Sequence, residues 1–177
     1  MTGLNVVTFV GALIANPLAK KFGERNTYIL SLTIFIGGLL AVWALPMNYI
    51  SFMVIMFIAY LGYGMPDALG VVMYSNTVEY GEWKTGKNAR GFIMSLINFP
   101  IKVAILVRSV IITGVLAGAG YVANMKATPL LVDSIKNGLT LIPAVIMLVA
   151  LVLIIFLYKI TPQNLAKMQA EIASRKV

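Results

Sequence analysis

The feature that most constrains this 177-residue chain is the grouping of its apolar residues into five long runs, at residues 4–19, 28–45, 49–76, 92–119 and 139–158. Lipid offers a backbone amide no hydrogen-bond partner, so a segment crossing it must bond to itself as a helix. About 20 apolar residues are needed to do so. Each run meets or approaches that length, and the expected fold is an all-α membrane protein with five transmembrane helices in residues 1–160. The first run is the shortest and opens directly behind Met1, which leads to the expectation that the reading frame starts inside a helical hairpin.

Composition agrees with lipid as the main solvent: 60% of residues are hydrophobic, 11% are charged, and the mean hydropathy is +0.91. Soluble domains are about half apolar and a quarter charged. Histidine and cysteine are both absent, which excludes disulfides, thiolate chemistry and His-based metal or acid–base sites. No two acids are expected to face each other at catalytic spacing, so the chain reads as no enzyme, with no catalytic or metal-binding residues and no cofactor. The net charge of +8 is not laid out as a nucleic-acid surface, since the cations sit in short segments between apolar runs. Nor does Met1 lead into the basic opening that a cleavable signal needs.

Those basic segments set the expected orientation. Lys20, Lys21 and Arg25 lie between the first two runs, Lys84, Lys87 and Arg90 between the third and fourth, and Lys159, Lys167, Arg175 and Lys176 after the fifth. The link Pro46-Met47-Asn48 is uncharged, and Lys126 and Lys136 are offset by Asp133. Cytoplasmic loops carry excess Lys and Arg, so the three basic segments and the C-terminus are expected in the cytoplasm and the N-terminus outside. Residues 161–177 read as a cytoplasmic tail. Leu165, Met168 and Ile172 at helical spacing suggest a short helix lying in the membrane interface.

Charges inside the runs point to function, because each costs at least about 2.5–3.5 kcal/mol at the bilayer centre and normally faces a cavity or a partner. Asp67 lies about 20 Å in from Tyr80, and Lys102 about 17 Å in from Gly91, at 1.5 Å per residue. The matching depths make an Asp67–Lys102 ion pair geometrically available. Arg108 is deeper, at about 26 Å, and two readings stand for it: a functional one, and snorkelling to the far interface. On a continuous helix Ser95, Asn98, Lys102 and Ser109 share one stripe, while Ile101, Ile105 and Val110 point elsewhere. Such a stripe lines a wet cavity or glues helices together; glue alone does not explain a lysine. Gly62, Gly64, Pro66 and Gly70 allow either bending or close packing. Trp43, Tyr49 and Tyr121 fall near span ends, as an interfacial aromatic belt does.

The run Asn76-Thr77-Val78-Glu79-Tyr80-Gly81-Glu82-Trp83-Lys84-Thr85-Gly86, followed by Gly91 and Lys102, resembles the glycoside-pentoside-hexuronide cation symporters. This is the melibiose-permease branch of the major facilitator superfamily. The segment from Pro17 to Arg25 is similar to the basic loop motif of that superfamily. The resemblance covers nearly the whole chain and implies the eighth to twelfth helices of a twelve-helix transporter, part of its C-terminal six-helix bundle. It implies a sugar partner, a bilayer, a separate N-terminal half, and Na⁺ or H⁺ as coupling ion with a site mainly in that other half.

Carried over by position, Lys102 matches the family's lysine near the sugar pocket. Asn98 and Ile101 lie beside it, and Asp67 falls where the preceding helix lines the same cavity. Asn76, Glu79, Tyr80, Glu82, Trp83, Lys84 and Arg90 match a cytoplasmic gating loop. The chain departs from the family pattern at Asn76, where an Asp is usual, at Asn88, where an Arg is common, and at Arg90, where an acid is frequent. The implied function is partial cation-coupled sugar symport at the plasma membrane. The alternative is a non-transporting membrane fragment that packs with another chain.

Overall fold

A computed structural model describes residues 2–46, 48–126 and 128–175, with side chains from residue 5 onward. Met1, Met47 of the uncharged link and Lys176 of the basic tail lie outside the described residues. The described chain is all α: α1 (Thr2–Phe22), α2 (Glu24–Ala44), α3 (Tyr49–Thr85), α4 (Arg90–Ser95), α5 (Asn98–Gly118), α6 (Pro129–Leu139), α7 (Leu141–Leu157) and α8 (Pro162–Arg175). Four helical units among the described residues, 24–44, 49–85, 90–118 and 129–157, are long and apolar enough to cross a membrane. They correspond to the second to fifth expected runs. Helix α1, whose opening side chains are outside the described residues, lies along α3.

Two expected spans are broken by proline. Pro100 has no amide to offer the Leu96 carbonyl, and its ring crowds that oxygen. The Leu96 carbonyl accepts from the Phe99 amide at 3.0 Å instead, and the helix turns at Leu96 and Ile97 between α4 and α5. Pro143 likewise lies four residues after Leu139, and the chain changes helix at Thr140, whose buried hydroxyl donates to the Lys136 carbonyl at 2.6 Å. The fifth run therefore starts earlier than expected, with α6 leading into α7.

Helix α3 organises the rest. Its 37 residues extend about 55 Å at 1.5 Å each, well beyond a hydrocarbon core of about 30 Å. The Asn48 side chain caps its start by accepting from the Ser51 amide at 2.8 Å. Gly86, in the left-handed region at φ 70°, ends it, a conformation costly for residues with a Cβ. The segment from Asn76 to Thr85, expected as a loop, is thus helical throughout: no proline interrupts it, and Asn76 and Val78 are buried. Only Gly86–Ala89 connects α3 to α4.

Helices α1 and α2 pack along α3. A Cβ on Gly64 would collide with the backbone of Thr8, and one on Gly62 would come within 2.8 Å of the Ser31 carbonyl oxygen; at Gly70 nothing lies within 4 Å. Of the two readings of this glycine-rich stretch, close packing accounts for Gly62 and Gly64. The core follows from this approach. Ala15, Met65 and Leu69 are buried where α1 meets α3, and Leu32, Phe35, Leu39, Ala59 and Ala144 where α2 meets α3 and α7.

All three basic segments gather at one end of these helices. Arg25 Nη2 donates to the Ile155 carbonyl at 2.7 Å, occupying an otherwise open acceptor at the C-terminal end of α7. Pro162, at the start of α8, packs against Gly23 in the α1–α2 corner. Helix α8 then lies on the projecting end of α3 with Met168 buried. The tail helix, expected to rest in the membrane interface, is seated on protein through its Met168 face.

Gly64→Ala should destabilise the protein by about 1–3 kcal/mol, as overpacking does, whereas Gly70→Ala should be neutral or slightly stabilising. Thermal unfolding in detergent checks this; equal melting temperatures for the two variants would remove the close-packing argument.

Candidate functional site

Two groups of polar residues stand on α3. The first is built around Asp67, which lies one helical turn from Tyr63 and two from Tyr60 on the same face, by its spacing of four and seven. The rings of Tyr60 and Tyr63 are 5.8 Å apart at their centroids, and Phe35 of α2 packs on both, at 6.2 and 5.1 Å. Asp67 itself is exposed. Tyr28 of α2 packs on the same part of α3, against the cluster of Ala15, Met65 and Leu69. An acid and three phenols on neighbouring turns can donate and accept hydrogen bonds to a hydroxyl-rich molecule.

Asn98, Ile101 and Lys102 lie on the first turn and a half of α5, and all three are exposed. No residue of α5 is buried, and its main neighbour is α6. Among the described residues no ion pair joins Lys102 to Asp67, and α5 has its main contacts with α6. The polar stripe is also shorter than expected. Ser95 falls on α4, across the break, and its hydroxyl donates to the Phe92 carbonyl at 2.7 Å; Ser109 donates to the Ile105 carbonyl at 2.9 Å. Asn98 and Lys102 remain with open side chains on one face.

The second group occupies the projecting end of α3. Trp83 Nε1 donates to Glu171 Oε2 at 2.6 Å, Gln169 Nε2 donates to Glu79 Oε2 at 2.7 Å, and Arg175 Nη1 donates to the Trp83 carbonyl at 2.8 Å. Three bonds thus clamp α8 onto the motif segment. Tyr80 stacks at a tilt on Trp83, with 6.0 Å between centroids, and Lys84 Nζ sits 6.0 Å over the Tyr80 ring. Asn76 is buried beside the Tyr158 hydroxyl, although no hydrogen bond of ordinary geometry closes between them. Glu82 is half-buried on the same helix. Arg90 opens α4 as an exposed side chain, its amide donating to Asn88 Oδ1 at 3.0 Å.

The structure therefore brings together most of the expected gating residues, on a helix and not on a loop, and among the described residues shows no ion pair between Asp67 and Lys102. The partners Gln169, Glu171 and Arg175 were not expected, and no local pattern announces a bond across 88 residues. Tyr60 and Tyr63 were also missed, although their spacing to Asp67 was available to a helical reading.

Long apolar helices with internal charges and a basic end define an all-α, multi-pass membrane protein. The family model for MFS/sugar transport proteins matches residues 1–162. The chain belongs to that family, in line with the glycoside-pentoside-hexuronide resemblance of its motifs. Among curated proteins it is 31% identical over 180 residues to the glucuronide carrier protein homolog of Escherichia coli, covering 97% of this chain and 38% of the relative. It is 29% identical to the isoprimeverose transporter of Lactiplantibacillus pentosus, covering 94% of the chain and 36% of the relative. It is 33% identical to an uncharacterized symporter, YjmB, of Bacillus subtilis, covering 90% of the chain and 35% of the relative. The chain thus spans little more than a third of the length of these relatives.

A double-mutant cycle on Trp83→Phe and Glu171→Gln should show a coupling of about 1 kcal/mol, the size of one hydrogen bond to a charged group discounted for partial exposure. Hydrogen exchange in α8 should rise in either single variant. A cycle without coupling would mean that the α8 clamp does not hold the motif segment.

Proposed function

We propose that this chain forms part of a cation-coupled sugar symporter that moves a glycoside, pentoside or hexuronide with Na⁺ or H⁺. In this reading it works by alternating access with an N-terminal half, which supplies the rest of the sugar cavity and most of the cation site. The observation that carries the reading is Lys102: a lysine inside an apolar span, on a helix of which the rest of the chain buries no residue. A cation in that position is tolerated where an aqueous passage or a further bundle covers it. The relatives named for glucuronide and isoprimeverose support a sugar as cargo.

Lys102 and Asn98 then serve as donors to sugar hydroxyls, with Ile101 against an apolar face of the ring. Asp67, set among Tyr28, Tyr60 and Tyr63, contributes the acceptor wall from α3. The projecting end of α3, with Asn76, Glu79, Tyr80, Glu82, Trp83 and Lys84, and Arg90 at the start of α4, forms the gating region. Its charged groups exchange partners as the two halves close and open. The gathering of all three basic segments at one end supports a cytoplasmic C-terminus, an external N-terminus and a plasma-membrane location.

In the transport unit containing this segment, Lys102→Ala should lower accumulation of a radiolabelled glucuronide or pentoside by at least about tenfold, the loss of one charge-assisted hydrogen bond. Undiminished uptake by a variant present at normal levels in the membrane would reduce the α5 polar face to helix packing.

A further inference from the structure

At the basic end of the bundle, a half-open cavity of about 580 Å³ lies between the projecting end of α3, the end of α7 and α8. It is separate from the Asp67 and Lys102 positions. Leu157, Ile160 and Met168 give it an apolar lining, and Lys159 and Lys167 line it too. Among the described residues neither lysine is ion-paired. The acids of the clamp are held on neutral donors: Glu171 on the Trp83 indole and Glu79 on the Gln169 amide. The α8 clamp thus builds the cavity without bonding its carboxylates to either lysine.

The apolar surface continues out of the cavity along one line of α7. Leu157, Leu153 and Val149 follow each other at four-residue spacing, and they are 74%, 50% and 56% exposed. Exposed lysines beside an apolar strip, next to Tyr80 and Trp83 at the end of membrane-crossing helices, complement an amphiphile with an oxyanion head. A soluble anion would use the lysines and leave the strip bare. We propose that this cavity is a lipid site, in which Lys159 and Lys167, with the Asn164 carboxamide, hold the phosphate of an anionic glycerophospholipid. One acyl chain runs along Leu157, Leu153 and Val149. The site depends on the membrane setting and on the α8 clamp, not on the identity of the transported sugar.

Native mass spectrometry of the full chain in detergent tests this, with phosphatidylglycerol, phosphatidylcholine and sn-glycerol 3-phosphate titrated separately and in competition. The expected result is retention of one phosphatidylglycerol, weakened about tenfold or more in the Lys159→Gln/Lys167→Gln variant. The Lys20→Gln/Lys21→Gln variant, equally reduced in charge, should bind as the unaltered protein does. Equal loss in both variants would show diffuse attraction and overturn the site. Equal retention of phosphatidylcholine would overturn the role of the anionic head, and displacement by an equal concentration of sn-glycerol 3-phosphate would make it a site for a free phosphate ester. Circular dichroism confirms folding; if the double variant loses helix, Lys159→Gln and Lys167→Gln singly are read by the same criteria.

Discussion

The close approach of α1 and α2 to α3 is the contact on which the rest of this structure hangs. Helices in lipid gain nothing by hiding apolar side chains from each other, so their association depends on van der Waals contact at small residues. Gly64 admits the backbone of Thr8 and Gly62 that of Ser31. Once α2 is seated there, Phe35 reaches the rings of Tyr60 and Tyr63, and Tyr28 packs against the cluster of Ala15, Met65 and Leu69. The polar wall around Asp67 thus rests on two glycines three and five residues before it on the same helix.

The same helix carries the expected gating residues, because its 37 residues are more than a bilayer core requires. Its last ten residues form a projecting arm, and α8 lies on that arm through three hydrogen bonds between groups of which only one partner in each is charged. Such bonds order the two carboxylates without an ion pair to Lys159 or Lys167, and the arm is held by the tail.

Helix α5 shows the opposite condition. Its residues are open on every side except towards α6, and its Asn98 and Lys102 have no partner from α3. Relatives of nearly three times the length share these segments, and a twelve-helix transporter of alternating access has a second bundle to cover such a face. The exposure of Lys102 and the exposure of Asp67 both fit a cavity whose opposite wall comes from elsewhere.

Apolar run length and one motif were enough to read the all-α membrane class and the family, because each rests on local properties: backbone satisfaction in lipid and a contiguous string from Asn76 to Gly86. The breaks at Leu96 and Thr140 were legible in principle, since Pro100 and Pro143 cause them locally, yet run length alone hid them. Matching depth of Asp67 and Lys102 did not bring an ion pair between them among the described residues, because depth fixes a position along the membrane normal and not the direction in which a side chain leaves its helix. That direction, like the seating of α8 on Trp83 and Glu79, was decided only when helices far apart in the chain packed together.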